Sequence, residues 1–257
     1  MDRRHARRRS HRAFRPLPGS TAQGRPLALS IPDYVLSCAL VARPMFCAMG
    51  CQGRDRMSKV QFKYDKYDFS AGVRQYKAIM DGKDAEFNPV TTQMAEFCMA
   101  YGRHNGRRFF SDPELFVRGC LDVQQEFGFD IPDMVWDVYS VEAEALGGDM
   151  AWFDDLYPAL DNTRVLVSSE QDLARLKAPD PFKTGRMPWV LEALRICQEL
   201  TGFAHHIHYC APINLCAQVM QFEKMVVAMA ERPKFVHKVL DWLVEEVLAP
   251  YINAYFK

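Results

Sequence analysis

After Met57 the chain alternates between helix-patterned and strand-patterned segments, and no other feature limits its fold as much. Helical spacing over 69–80 stops at Asp81-Gly82, and 88–92 (NPVTT) reads as a short first strand. Ser111-Asp112-Pro113 is a helix start with an N-cap candidate and a proline in the first turn, opening PELFVRGCLDVQQEFG up to Gly128. The segment RVLVSS precedes a helix capped at Ser168 or Ser169 and halted by Pro179. A turn-rich loop, 180–189, leads into the amphipathic helix MPWVLEALRICQELTG. After it come the strand AHHIHYCAP, the helix INLCAQVMQFEKMVVAMAE and a last helix with Pro233 in its first turn. Helix and strand in alternation imply an α/β fold with a parallel sheet and crossover helices.

The stretch 133–155, DMVWDVYSVEAEALGGDMAWFDD, is the centre of this pattern. A strand carrying Asp137, a short helix with Glu142 and Glu144, and a second strand after Gly147-Gly148 fit its order. Strand ends are rigid and the following loop leaves them open, so an acid such as Asp137 is placed where α/β enzymes put working groups. The competing reading is that Asp137 caps the next helix. Glu142 and Glu144 stand two apart on a helix and do not share a face, so one points at a pocket mouth and the other into solvent. Asp154 and Asp155 extend an acidic rim or cap a helix. Asn214 reaches a substrate carbonyl or caps its helix, His205 is a surface or strand-edge residue, and Met220, Met225 and Met229 form core packing at near-helical spacing.

Charge separates the first 56 residues from the rest. They hold eleven Arg against three Asp, whereas 57–257 hold 21 basic against 29 acidic residues. The leader has no apolar period and is expected to be disordered. It reads as a transit peptide, a nucleic-acid arm or an over-extended reading frame ahead of a start at Met57. Its apolar run, 27–49, is broken by Pro32, Asp33, Arg43 and Pro44, short of the about 20 clean residues of a membrane span. The acidic body argues against nucleic-acid binding. Eight cysteines without a C-x-x-C pair suit a reduced, cytoplasmic setting.

Four blocks in order, SVEAEALGGD behind an apolar run with Asp137, then DPFKTGRMPWVLEALR, CAPINLCAQVM and ERPKFVHKVLDWL, resemble the uroporphyrinogen decarboxylase superfamily. Within it the likeness is greatest to corrinoid-dependent methyltransferases of the methylcobalamin:coenzyme M kind. The resemblance implies a TIM-type (β/α)8 barrel with its site at the carboxyl ends of the strands. Such a barrel takes about 250 residues, so the four or five βα units here predict a barrel truncated at its C-terminus. Residues 1–56 would be a leader and 57–257 the N-terminal part of the barrel.

In decarboxylases of this kind, paired Arg after the first strand would clamp the many carboxylates of the substrate. Here those places hold Met94, Ala95, Glu96 and Cys98, and Arg103, Arg107 and Arg108 come later in a basic loop. The resemblance therefore favours methyl transfer between a corrinoid on a carrier protein and a small thiol. Uroporphyrinogen decarboxylation and an inactive fragment are the alternatives. It assigns Asp137 a catalytic role and sets Tyr139, Glu142, His206, His208 and Asn214 around the substrate. A zinc ion would hold the thiol through a His-x-Cys pair and a distant Cys, ligands expected mostly beyond Lys257. The local match His208-Tyr209-Cys210, with His206 on the same strand face, is the zinc candidate within this chain. Otherwise these residues line the pocket.

Overall fold

The computed structural model describes residues 61–137, 139–161, 163–204 and 208–256. The leader, His205 and His206 lie outside the described residues. Helix α1 (Ser70–Met80) ends at Asp81-Gly82 as its spacing predicts, with Gly82 at φ 69°. Helices α2 (Ala95–Tyr101) and α3 (Gly106–Phe109) follow. Helix α4 (Pro113–Glu126) starts because the Asp112 carboxylate accepts the N–H groups of Glu114 and Leu115 at 3.1 Å, while Pro113 fills a position that needs no donor. After the short α5 (Val141–Ala145), strands β1 (Met150–Ala151) and β2 (Ala159–Leu160) pair antiparallel. Helix α6 (Glu170–Arg175) is capped by Ser169, whose hydroxyl accepts the Asp172 N–H. Helix α7 (Met187–Thr201) closes on Gly202 in the left-handed region.

Helices α4 and α7 form the main packing pair. Leu115, Phe116, Cys120 and Leu121 from α4 meet Val190, Ala193 and Cys197 from α7 in one core. The Phe116 and Trp189 rings lie 5.1 Å apart. Each large apolar side chain buried here stabilises the fold by about 1.5–3 kcal/mol. The segment expected as one helix after Pro212 is two, α8 (Pro212–Met220) and α9 (Phe222–Glu231), because Gln221 adopts φ 64° and breaks the ladder. The break also divides the methionines: Met220 and Met225 are buried, but Met229 is exposed. Helix α10 (Pro233–Leu243) runs through a π turn (Val244–Leu248) into α11 (Ala249–Ala254), where Pro250 sits in the first turn.

The expected parallel ladder is not formed among the described residues, where β1–β2 is the whole of the regular sheet. The reasons are local. Segment 88–92 does lie beside 130–131, since Asp130 N–H donates to the Val90 carbonyl at 2.8 Å. The return bond, however, runs from Val90 N–H to the Asp130 side chain, also at 2.8 Å, and a carboxylate in the place of a backbone acceptor ends the pairing. In RVLVSS, the Leu166 and Val167 N–H groups both turn to the Val219 carbonyl at the end of α8, 2.9 Å away. The second strand of the central stretch pairs with 159–160 and not with the first.

Helix α1 rests on this region through Gly72, where an added Cβ would stand 2.0 Å from the Asp130 carbonyl oxygen. A Gly72→Ala chain must push the 130–131 segment away, and it is expected to lose about 1–3 kcal/mol. A lowered urea midpoint at unchanged slope checks this, and an unchanged midpoint refutes the close approach.

Candidate functional site

Asp137, buried completely at its side chain, is the centre of a polar cluster set into the core. Its Oδ1 accepts the Ser140 N–H at 3.0 Å and its Oδ2 the Ser140 hydroxyl at 2.6 Å, so it does shape the turn into α5. It does not cap α5, whose N-cap Ser140 has no side-chain cap bond, and its Oδ2 also accepts Arg186 Nη2 at 2.5 Å. The same guanidinium donates from Nη2 to Ser140 Oγ at 2.8 Å and from Nε to Glu144 Oε2 at 2.5 Å. The Trp152 ring covers it, with 5.5 Å from the guanidinium carbon to the ring centroid. Burial works against the Arg186 charge, but Asp137 and Glu144 outweigh it and hold the guanidinium above its ordinary pKa.

Arg186 is the residue that sequence reasoning missed. Gly185, at φ 55°, lets the loop approach α5 so closely that an added Cβ would lie 3.3 Å from Ala145 Cα. The only local signal is a single Arg between that glycine and the Met187-Pro188 helix start.

The central stretch also places two carboxyls against the 208–210 segment. Glu142 is buried, and its Oε1 accepts the Cys210 N–H at 2.7 Å. Burial raises its pKa from 4.5 to about 7 although the Cys210 bond pulls the other way. The Asp133 Oδ1 meets His208 Nε2 at 2.7 Å. Gln124 fixes this carboxylate's backbone, accepting the Asp133 N–H and donating to its carbonyl. The Trp136 ring meets His208 edge-on, and the Tyr255 hydroxyl donates to the His208 carbonyl at 3.3 Å.

The structure thus gathers Asp137, Glu142 and His208 into one region, with Tyr139 beside them. Tyr139 sits at φ 57°, a strained backbone position for this residue type, and its carbonyl accepts Gln218 Nε2 at 3.0 Å. Asn214 is exposed on α8, whose N-cap is Ala211, so it does not cap the helix. Glu144 corrects the expectation of a solvated carboxylate, because Arg186 draws it inward. Asp154 and Asp155 are exposed, and Arg107 pairs with Asp154 and holds the Trp152 carbonyl. Arg103 and Arg108 are exposed as well.

The zinc candidates do not converge. His208 is turned to Asp133, while the Cys210 thiol, buried and raised in pKa by that burial, faces Gln218 Oε1 at 3.7 Å. Among the described residues no three His, Cys, Asp or Glu side chains are grouped to hold a metal ion. Two concavities, of about 330 and 440 Å³, lie elsewhere, and neither includes Asp137, Glu142, Arg186 or His208.

The profile of the uroporphyrinogen decarboxylase (URO-D) family matches residues 74–257, most of the chain. The chain belongs to this family. A methyltransferase from Methanosarcina mazei shares the fold, with a TM-score of 0.61 at 20% identity over 71% of this chain and 54% of that one. The chain therefore spans about half the length of that structure. No curated protein matches it. Family membership and the shared fold imply a TIM-type barrel. Among the described residues no helix is long and apolar enough to cross a membrane.

Proposed function

We propose that this member of the uroporphyrinogen decarboxylase family serves methyl transfer between a corrinoid on a carrier protein and a small thiol. The observation that carries this reading is the state of the basic groups. A decarboxylase must bind a substrate with many carboxylates, and bidentate Arg pairs are the side chains suited to that. At the first-strand block this chain has Met94, Ala95, Glu96 and Cys98, with Cys98 buried and Glu96 half-buried and raised in pKa by burial. Arg186, the one buried guanidinium among the described residues, is already engaged by Asp137 and Glu144. The methyltransferase that shares the fold supports the same choice.

In the reaction, sulfur supplies the electron pair of the new S–C bond and the thiol proton passes to solvent. A methyl-corrinoid on its carrier protein would supply the methyl group and take back the electron pair of the bond that breaks. The chain's own contribution is a buried polar cluster: Arg186 locks the Asp137 turn, Glu142 holds the Cys210 N–H and Asp133 the His208 ring. Zinc, which the resemblance implies for holding the thiol, has no assembled ligand set among the described residues, and the reading does not depend on it. A second reading, uroporphyrinogen decarboxylation, rests on membership of the uroporphyrinogen decarboxylase family.

The test incubates the full chain without oxygen with methylcob(III)alamin and a thiol, and follows loss of the methylcobalamin spectrum. Uroporphyrinogen is supplied in a parallel reaction. Thiol-dependent demethylation without decarboxylation is the expected result. Decarboxylated porphyrinogens would establish the alternative chemistry, and no turnover in either reaction would overturn both readings.

A further inference from the structure

We infer that the outer side of α9 is a self-association surface, on which two copies of this chain pair about a two-fold axis. The inference stands apart from the methyl-transfer reading. Its first support is a helix that is apolar on every side. Met225 and Ala228 of α9 are buried in the core, yet Phe222 stays 67% exposed, Val226 47%, Val227 53% and Met229 48%. A helix hydrophobic all round is normally covered all round. Phe222, Val226 and Met229 follow one another at helical spacing, so they form a continuous stripe of the kind by which helices pack together.

The second support identifies the cover. Phe222 and Val227 lie roughly 140° apart around the helix axis. Beside Val227 opens the hollow of about 330 Å³, whose lining includes Val167, Met220 and Ala228. One helix thus carries a knob on one flank and an apolar hole on the other. A two-fold axis parallel to α9 sets each flank against the opposite flank of the second copy, so both knobs meet both holes at once. Charge fits the same arrangement. Lys224 and Arg232 edge the hollow against the single carboxylate of Glu223, and Arg232 is held there by Nη1 donating to the Ser168 carbonyl at 3.3 Å. An entering Phe222 brings its own neighbour, Glu223, to that positive edge. Unlike charges at a rim set orientation more than affinity. A stable interface takes about 800 Å² from each partner, and one short helix with its flank offers less, so Kd is expected on the order of 10 µM.

Sedimentation equilibrium of the full chain, from about 1 to 200 µM, measures the association. A monomer–dimer equilibrium is expected. Phe222→Glu and Val226→Glu should each raise Kd about tenfold or more, the scale on which an aromatic or aliphatic anchor acts at an interface. Both side chains are exposed, so circular dichroism and the melting temperature should stay as in the wild-type chain. Glu223→Lys should also weaken pairing, and adding Lys224→Glu should restore it, an exchange that a merely adhesive face would not show. A wild-type chain that is monomeric throughout the range overturns the inference, and so does open-ended growth beyond the dimer. A dimer that survives both Phe222→Glu and Val226→Glu overturns it as well and moves the contact elsewhere, with the exposed Phe97–Tyr101–Phe127 ring cluster as the next surface to alter. If one of these two variants does not fold, the other decides.

Discussion

Replacing Arg186 with Met is expected to cost about 3–5 kcal/mol of stability, the largest effect of any single change at the site. The substitution keeps the apolar bulk beneath Trp152 but leaves Asp137, with no exposed side-chain surface, and Glu144, 18% exposed, without a counter-ion. The penalty comes mainly from stranding the Asp137 charge in the core, and less from losing attraction. For a domain of this size such a loss lowers the melting temperature by about 10 °C. The double variant Asp137→Asn with Arg186→Met separates the two causes, because it removes the stranded charge together with its partner. It should be markedly more stable than the Arg186 single variant, giving a coupling free energy above about 1 kcal/mol. Additive losses would show that the pair does not interact as the geometry indicates.

Stability is also expected to fall as pH rises through neutrality, and Glu142 is the main cause. A carboxyl whose folded pKa lies above its unfolded value favours the fold while both states are protonated, here below pH 4.5. That contribution is lost as pH climbs through about 7. The shift from 4.5 to about 7 corresponds to a decline on the order of 3 kcal/mol between pH 5 and pH 8. Glu142→Gln keeps an oxygen for the Cys210 N–H but cannot ionise, so its profile should stay flat over the window in which the wild-type chain weakens. Urea denaturation at the two pH values compares the slopes. Parallel profiles for the two proteins would mean that Glu142 does not carry the dependence.

Where local chemistry decides an element, this chain announces it. Ser111-Asp112-Pro113 starts α4, Asp81-Gly82 ends α1 and Gly202 ends α7, each with a cap or a left-handed residue readable in one sequence. Asp137 was legible as a buried acid at the end of an apolar run, and Glu142 as its neighbour. Arg186 was not, because its partner lies 49 residues away and a turn-rich loop gives no period from which to infer direction. The 208–210 segment shows the opposite limit. Donors spaced by two can share a strand face, but Asp133 and Gln218 claim the His208 and Cys210 side chains separately. Nor could spacing foresee Gln221, where a residue that is neither Gly nor Pro takes a positive φ and splits a helix. The missing ladder at 88–92 depended on one Asp130 rotamer, a tertiary fact.

The π turn at Val244–Leu248 acts as a phase adjuster for the end of the chain. Buried positions Phe235, Val239, Leu243, Val247 and Tyr251 recur every four residues. An α-helix turns once in about 3.6 residues, so each step of four overshoots by roughly 40° and a regular helix would carry Tyr251 around its flank. The wider turn absorbs part of that excess, and Pro250, which has no N–H to close a standard ring, stands two residues beyond it. The angle at which the Tyr251–Tyr255 pair arrives over the His208 carbonyl is thus set by how many residues that single turn contains.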